Sequence, residues 1–295
     1  MVFFCYTYNM NLKRILKISR PRFWIYEIGP YIIGIVAAAQ STQSVWLVPS
    51  VIIFFIFFTY PANIYIYGIN DAYDYETDKL NPKKVSYESL VLPRERQRLF
   101  THIFLVCLPF LLYGFLSLSI TTLIFLCLFF FFAGFYSATP IRAKARPFLD
   151  SIFSAGHYVM TGAFSYLLIT DILNNSFSWT TLWICIAAGM AWAISMHAYS
   201  AVPDIKADRD AHLETIATRL EKKKTIYLCA FLYALSAALT FPYLGYISIA
   251  LGVVYAYFMY ISLNTTEGRL FKIYTYFPVI NTLAGMIVFF TILLF

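Results

Sequence analysis

Two short stretches carry carboxylates at spacings that serve metal chemistry. In INDAYDYETDKL, residues 69–80, Asp71, Asp74, Glu76 and Asp78 fall within eight positions, with no Lys or Arg before Lys79. In PDIKADRDAHLET, residues 203–215, Asp204, Asp208, Asp210 and Glu214 repeat the crowding. Asn70, Asp74 and Asp78 stand at i, i+4 and i+8, and Asp204 and Asp208 at i, i+4. On a helix each set shares one face, about 6 Å per step. Like charges so placed cost roughly a few tenths of a kcal/mol per pair, and more beside a membrane. A cation is needed to offset them. An EF-hand calcium loop does not fit, because Glu76 stands where its tight-turn Gly belongs. A solvated acidic helix end accounts for one cluster, but two alike argue against it. Carboxylate and amide oxygens suit magnesium, a hard cation that keeps several waters and binds phosphates.

The elements that must hold these acids are transmembrane helices. Of 295 residues, 60% are hydrophobic, 20% aromatic and only 13% charged, and the mean hydropathy is +0.69. A soluble domain carries about 25% charged residues. Nine apolar stretches have the length to span a bilayer, about 23–41, 46–69, 99–117, 119–137, 150–170, 179–200, 226–243, 245–263 and 273–294. They should be helices, since lipid offers the backbone no partners; the long runs do not alternate like barrel strands. The expected fold is an all-α integral membrane protein with nine transmembrane helices. Residues 1–22 read as a cytoplasmic N-terminal segment and 23–295 as one transmembrane domain. Span, acidic motif and basic loop at 46–98 recur at 179–224, suggesting a two-part pseudo-repeat.

All 22 Lys and Arg lie at 13–22, 79–98, 142–146, 206–224 and 269–272, at alternate connections. The positive-inside rule makes that face, with both acidic motifs, cytoplasmic; the N-terminus is inside and the C-terminus on the opposite side. The net charge of +7 can meet anionic headgroups of membrane lipids or an anionic substrate. With no separate basic domain, nucleic acid is not an expected partner. The five Cys are scattered and none has metal-ligand spacing. The first ten residues lack the basic flank and cleavage site of a signal peptide. With no transit peptide, the cell (plasma) membrane is the expected location.

At these residues the sequence resembles the UbiA superfamily of intramembrane prenyltransferases. Its N-D-x-x-D-x-x-x-D motif is matched by Asn70, Asp71, Asp74 and Asp78, and its D-x-x-x-D by Asp204 and Asp208. SRPRFWIYEIGPYIIG at 19–34, YSATPIRAKARPFLD at 136–150 and HAYSAVPDIKADRDAHLETIAT at 197–218 look most like the carotenoid-modifying branch, the lycopene elongases. One departure stands out. His212 falls where that family often has Gly, with Thr215 retained.

The resemblance implies nine helices and a magnesium-dependent prenyltransferase. An allylic diphosphate, with dimethylallyl the expected prenyl group, is the donor and a lipophilic acceptor, a carotenoid or a quinone precursor, receives it. Two Mg2+ ions on Asp74, Asp78, Asp204 and Asp208, with Asn70 as a neutral ligand, would clamp the diphosphate. Asp71 joins the substrate site. Arg142 and Lys144 are placed to bind phosphate oxygens; topology alone also accounts for them, and more so for Arg20 and Arg22. Tyr136 and Tyr199 end spans four and six, as phosphate donors or as ordinary interfacial tyrosines.

His157 and His197 lie within spans, as proton acceptors, as partners of a motif aspartate or, the plainer reading, as packing histidines. Asp150 can cap the fifth span. Glu27 is a weak candidate by virtue of being an intramembrane acid. A terpene cyclase would use the same metal site without an acceptor. A cation-coupled transporter is disfavoured, since its carboxylates usually sit near the midplane.

Overall fold

The computed structural model describes residues 11–39, 43–75, 79 and 89–294. Twelve helices account for nearly all of them, with no strand among the described residues. They are α1 Leu12–Ile18, α2 Ile25–Ala39, α3 Pro49–Tyr73, α4 Arg96–Ser117, α5 Ile120–Ser137 and α6 Leu149–Leu173. Then come α7 Trp179–Ala201, α8 Ile205–Asp210, α9 Ile216–Leu244, α10 Tyr246–Leu263, α11 Glu267–Tyr274 and α12 Phe277–Leu294.

Eight apolar helical stretches reach 18 residues or more and are long enough to cross a membrane. The first expected span is shorter. α2 has 15 residues, about 22 Å at 1.5 Å per residue, against a hydrocarbon core of about 30 Å. Residues 40 and 41, which belong to the expected span 23–41, lie outside the described residues.

Local chemistry explains the ends. Pro49 opens α3, where its missing N–H costs nothing. Ser119, Ser178 and Thr215 accept hydrogen bonds from the third backbone N–H of α5, α7 and α9. α9 starts well before the expected 226, because Thr215 caps it and the basic run TRLEKKK is helical apart from a break at Glu221 (φ 63°).

The bundle has two apolar centres. α6 is the most buried span and packs against α2, α5 and α7. Phe54, Phe57 and Phe58 of α3 meet Phe129 of α5 and Phe164 of α6, with Phe54 and Phe164 centroids 4.7 Å apart. The second centre joins α7, α9, α10 and α12 around Tyr199, Tyr233, Tyr255, Phe258 and Phe277. Large apolar side chains such as Phe104, Leu116, Ile120 and Val253 point outward, as lipid-facing residues do. α1 is tied back by a buried fork. Arg14 donates to both Glu95 carboxylate oxygens at 2.5 and 2.8 Å. This basic residue of the N-terminal segment is therefore structural and faces no headgroup.

Candidate active site

The first acidic motif lies on the last turn of α3. The helix runs on to Tyr73, past the expected end at 69, and Asp74 is its C-cap. Successive residues differ by about 100° around a helix, so Asn70 and Asp74 share a face and Asp71 turns away. The Asn70 amide donates to Ser137 Oγ at the end of α5, 3.0 Å away. Asp71 is buried and accepts from Arg20 Nη2 at 2.9 Å. Arg20 has a left-handed backbone (φ 51°) immediately before Pro21, and its guanidinium lies 4.7 Å over the Tyr67 ring. Asp74 is paired with Lys144, and Arg142 Nη2 stands 4.0 Å from the same oxygen. Both bases come from the turn between α5 and α6, where Arg142 also has a positive φ of 44°. Asp78 lies outside the described residues.

The second motif follows α7. Val202–Asp204 makes one tight turn, and α8 carries Asp208. Asp204 is exposed and Asp208 half-buried. Thr215 Oγ1 donates to Asp208 Oδ2 at 3.4 Å. α8 closes with a double reverse turn: Leu213 N–H donates to Asp208 O at 2.8 Å and His212 N–H to Arg209 O at 3.0 Å. His212 takes the left-handed position, φ 55°, so the turn that Gly would make survives with a strained residue in it. His212→Gly is expected to stabilise the protein by about 1 kcal/mol with activity kept. A thermal unfolding midpoint in detergent that fails to rise would count against this.

Tyr136, at the end of α5, lies within electrostatic range of an acid of each motif, Asp74 and Asp208, and of Asp150. Its hydroxyl is 3.1 Å from His197 Nε2, and Ser151 Oγ is 3.1 Å from His197 Nδ1. Both ring nitrogens of His197 are thus engaged in holding Tyr136. Asp150, fully buried, stands in the first turn of α6, as expected of a cap there, and it caps a second helix as well. Its Oδ2 accepts the Ile216 N–H of α9 at 2.9 Å. Asp150 thereby fixes where α9 begins after the second motif.

Tyr199 does not join this group. Tyr199 is fully buried; its hydroxyl is 2.8 Å from Ser262 Oγ, and it packs on Phe258 and Phe277 in the second apolar centre. The Arg22 guanidinium lies 4.5 Å over Phe23. Sequence spacing did not link Asn70 with Ser137 or Asp150 with Ile216, which are 67 and 66 residues apart. Among the described residues no three His, Cys, Asp or Glu converge on one point. What Asn70, Asp74, Asp204 and Asp208 offer is hard oxygen, with Lys144 and Arg142 alongside. That donor set fits magnesium bound jointly with a phosphate group rather than in an all-protein cage.

A helical membrane bundle with paired acids and bases at one end has the architecture of an intramembrane enzyme. Residues 28–275 match the UbiA prenyltransferase family, and the chain belongs to that family. It is a prenyltransferase and an integral, multi-pass membrane protein. It is 34% identical over 278 residues to a lycopene elongase/hydratase of Halobacterium salinarum, covering 93% of this chain and 95% of that one. A lycopene elongase/hydratase of Haloferax volcanii is 32% identical over 281 residues, covering 94% and 88%. Among solved structures, digeranylgeranylglyceryl phosphate synthase superposes with a TM-score of 0.70 at 15% identity, covering 96% of this chain and 98% of that one. A UbiA homolog from Archaeoglobus fulgidus bound to DMAPP and Mg2+ gives 0.63 at 17% identity, covering 96% and 100%.

Proposed function

We propose that this protein transfers a dimethylallyl group from its diphosphate to a terminal double bond of a carotenoid, lycopene or a close relative. The reading is carried by Lys144 and Arg142 flanking Asp74 of the first motif, with Tyr136 within electrostatic range of Asp74 and of Asp208 of the second. The acceptor is argued from the lycopene elongase/hydratase relatives, which match nearly the whole chain. The donor and the metal are argued from the fold neighbour bound to DMAPP and Mg2+.

Asn70, Asp74, Asp204 and Asp208, with Asp78, would hold two Mg2+ ions. When bound, the metal neutralises the diphosphate and so makes it a leaving group. Lys144 and Arg142 bind phosphate oxygens, Arg142 in a fork. Arg20 holds Asp71 in place beside the site. Tyr136, oriented by His197, donates a hydrogen bond from its hydroxyl to a phosphate oxygen. The allylic C–O bond then breaks and its electron pair leaves with the diphosphate. The surrounding aromatic side chains exclude water and favour the allyl cation's capture by an alkene. A carotenoid enters laterally from the bilayer. Residues 23–295 act as one domain, α2 serves as the ninth span, and the basic connections lie on the cytoplasmic side of the cell membrane, with the C-terminus opposite.

The test is pigment and lipid extraction from a lycopene-producing host expressing the chain, beside an Asp74→Ala control. The expected result is species heavier than lycopene by one or two prenyl units, missing from the control. Unchanged lycopene with the protein present in the membrane would falsify the carotenoid acceptor and turn the search to aromatic quinone precursors.

A further inference from the structure

Deeper in the bundle is a buried acid–base pair that neither motif uses. Glu27 of α2 is 1% exposed and His157 of α6 is 3% exposed. His157 Nδ1 lies 2.7 Å from Glu27 Oε1, and Thr161 Oγ1 donates to Glu27 Oε2 at 2.7 Å. An ionisable group at such a depth is costly and marks function. Both carboxylate oxygens are engaged, so the acid is fixed and in turn fixes the ring. Nδ1 faces the carboxylate; with Nδ1 protonated toward Glu27, Nε2 is the basic nitrogen, and it makes no hydrogen bond among the described residues. A carboxylate on one imidazole nitrogen with the other turned to the reactant is the arrangement of a general base.

The pair is placed for the reaction. His157 is seven residues into α6 from Asp150, about 10 Å along the helix from the acidic end. Glu27 lies within electrostatic range of Tyr67, the ring under the guanidinium of Arg20, which itself holds Asp71. This chain of neighbours leads from the pair to the first motif. The Phe129 ring meets His157 edge-on at 6.5 Å, and Tyr158 packs at 4.0 Å, so a cation formed there has aromatic walls.

We propose that the Glu27–His157 pair is the proton acceptor that ends prenyl transfer. The inference rests on the reading above that the acceptor is an alkene. Its π electrons form the new C–C bond to the allyl carbon, which leaves a cation on the neighbouring carbon. An adjacent C–H bond gives its electrons to a new double bond and its proton to His157 Nε2. Where water adds instead, an oxygen lone pair forms the C–O bond and Nε2 takes a proton from that water. One diphosphate and one proton leave in either case. His157 is the catalytic residue of the pair; Glu27 positions it and stabilises the imidazolium.

The experiment incubates membranes with labelled dimethylallyl diphosphate, lycopene and magnesium, and reads diphosphate released, prenyl alcohol and prenylated product. His157→Gln is expected to lower prenylated product about 100-fold while the fraction of cleaved donor that ends as free alcohol rises. Glu27→Gln removes the charge and keeps one acceptor oxygen for His157, its amide N–H facing Thr161 in place of an acceptor; it is expected to shift the same ratio less strongly, and it carries the test should His157→Gln fail to reach the membrane. A purely structural pair predicts diphosphate, alcohol and product falling together with folded protein, and that result overturns the proposal. So does a product-to-diphosphate ratio unchanged from wild type in both variants. A wild type that cleaves donor yet makes no prenylated lycopene sinks the alkene-acceptor reading and the proton role together. A wild type that transfers normally beside equally competent variants sinks the proton role alone.

Discussion

Asp208→Asn is expected to lower prenyl transfer by about 100- to 1,000-fold and to leave the unfolding midpoint nearly unchanged. The amide is isosteric, and its oxygen still accepts from Thr215 Oγ1, the partner of Asp208. What is lost is a negative charge at the proposed magnesium and diphosphate site. Asp74→Asn is expected to lose as much activity but also stability, because it removes a carboxylate paired with Lys144, whose side chain is 10% exposed. A hydrogen bond to a charged group is worth about 1.5–3 kcal/mol. Adding Lys144→Met to Asp74→Asn should therefore recover the midpoint and none of the activity. Turnover of labelled donor against magnesium concentration, with thermal unfolding in the same detergent, separates the two effects. Activity of Asp208→Asn within threefold of wild type at saturating magnesium would remove Asp208 from the metal site.

What the sequence made legible follows from how the information is written. Helices α4, α5, α7 and α10 end within a few residues of the expected 99–117, 119–137, 179–200 and 245–263, because apolar run length is a property of consecutive residues. The i, i+4 aspartates were legible for the same reason. Tyr199 misled, since a tyrosine near a helix end reads equally as a phosphate donor and as a packing residue, and only the facing Ser262 and Phe277 distinguish them. The helical run 216–225 does not show in the hydropathy pattern, because its charge density masks a helix whose signal is the Thr215 cap. Partnerships across the bundle, Arg20 with Asp71, Tyr136 with His197 and Glu27 with His157, lie 51, 61 and 130 residues apart. Spacing arithmetic works within one helix and is silent on which faces of two helices meet.

Gly34→Val is expected to separate the two helices on which the proposed proton acceptor depends. A Cβ at Gly34 would stand 2.2 Å from the Gly162 carbonyl oxygen and 2.1 Å from Ser165 Oγ, both on α6. The serine can rotate, but a backbone carbonyl cannot, so α2 must move outward. Small residues are what let membrane helices approach this closely. Overpacking costs about 1–3 kcal/mol, and the branched side chain falls at the upper end or beyond. The damage reaches the chemistry through register. Gly34 is seven residues from Glu27, two turns along the same face of α2, so the displacement also moves Glu27 away from His157. The variant should show a lower unfolding midpoint and a rise in free prenyl alcohol over prenylated product. Gly29→Ala is the control within the same helix, because a Cβ there meets nothing within 4 Å, and it should leave both readouts unchanged. Equal losses in the two variants would mean that α2 tolerates no added methyl at all, and that its contact with α6 has no special role.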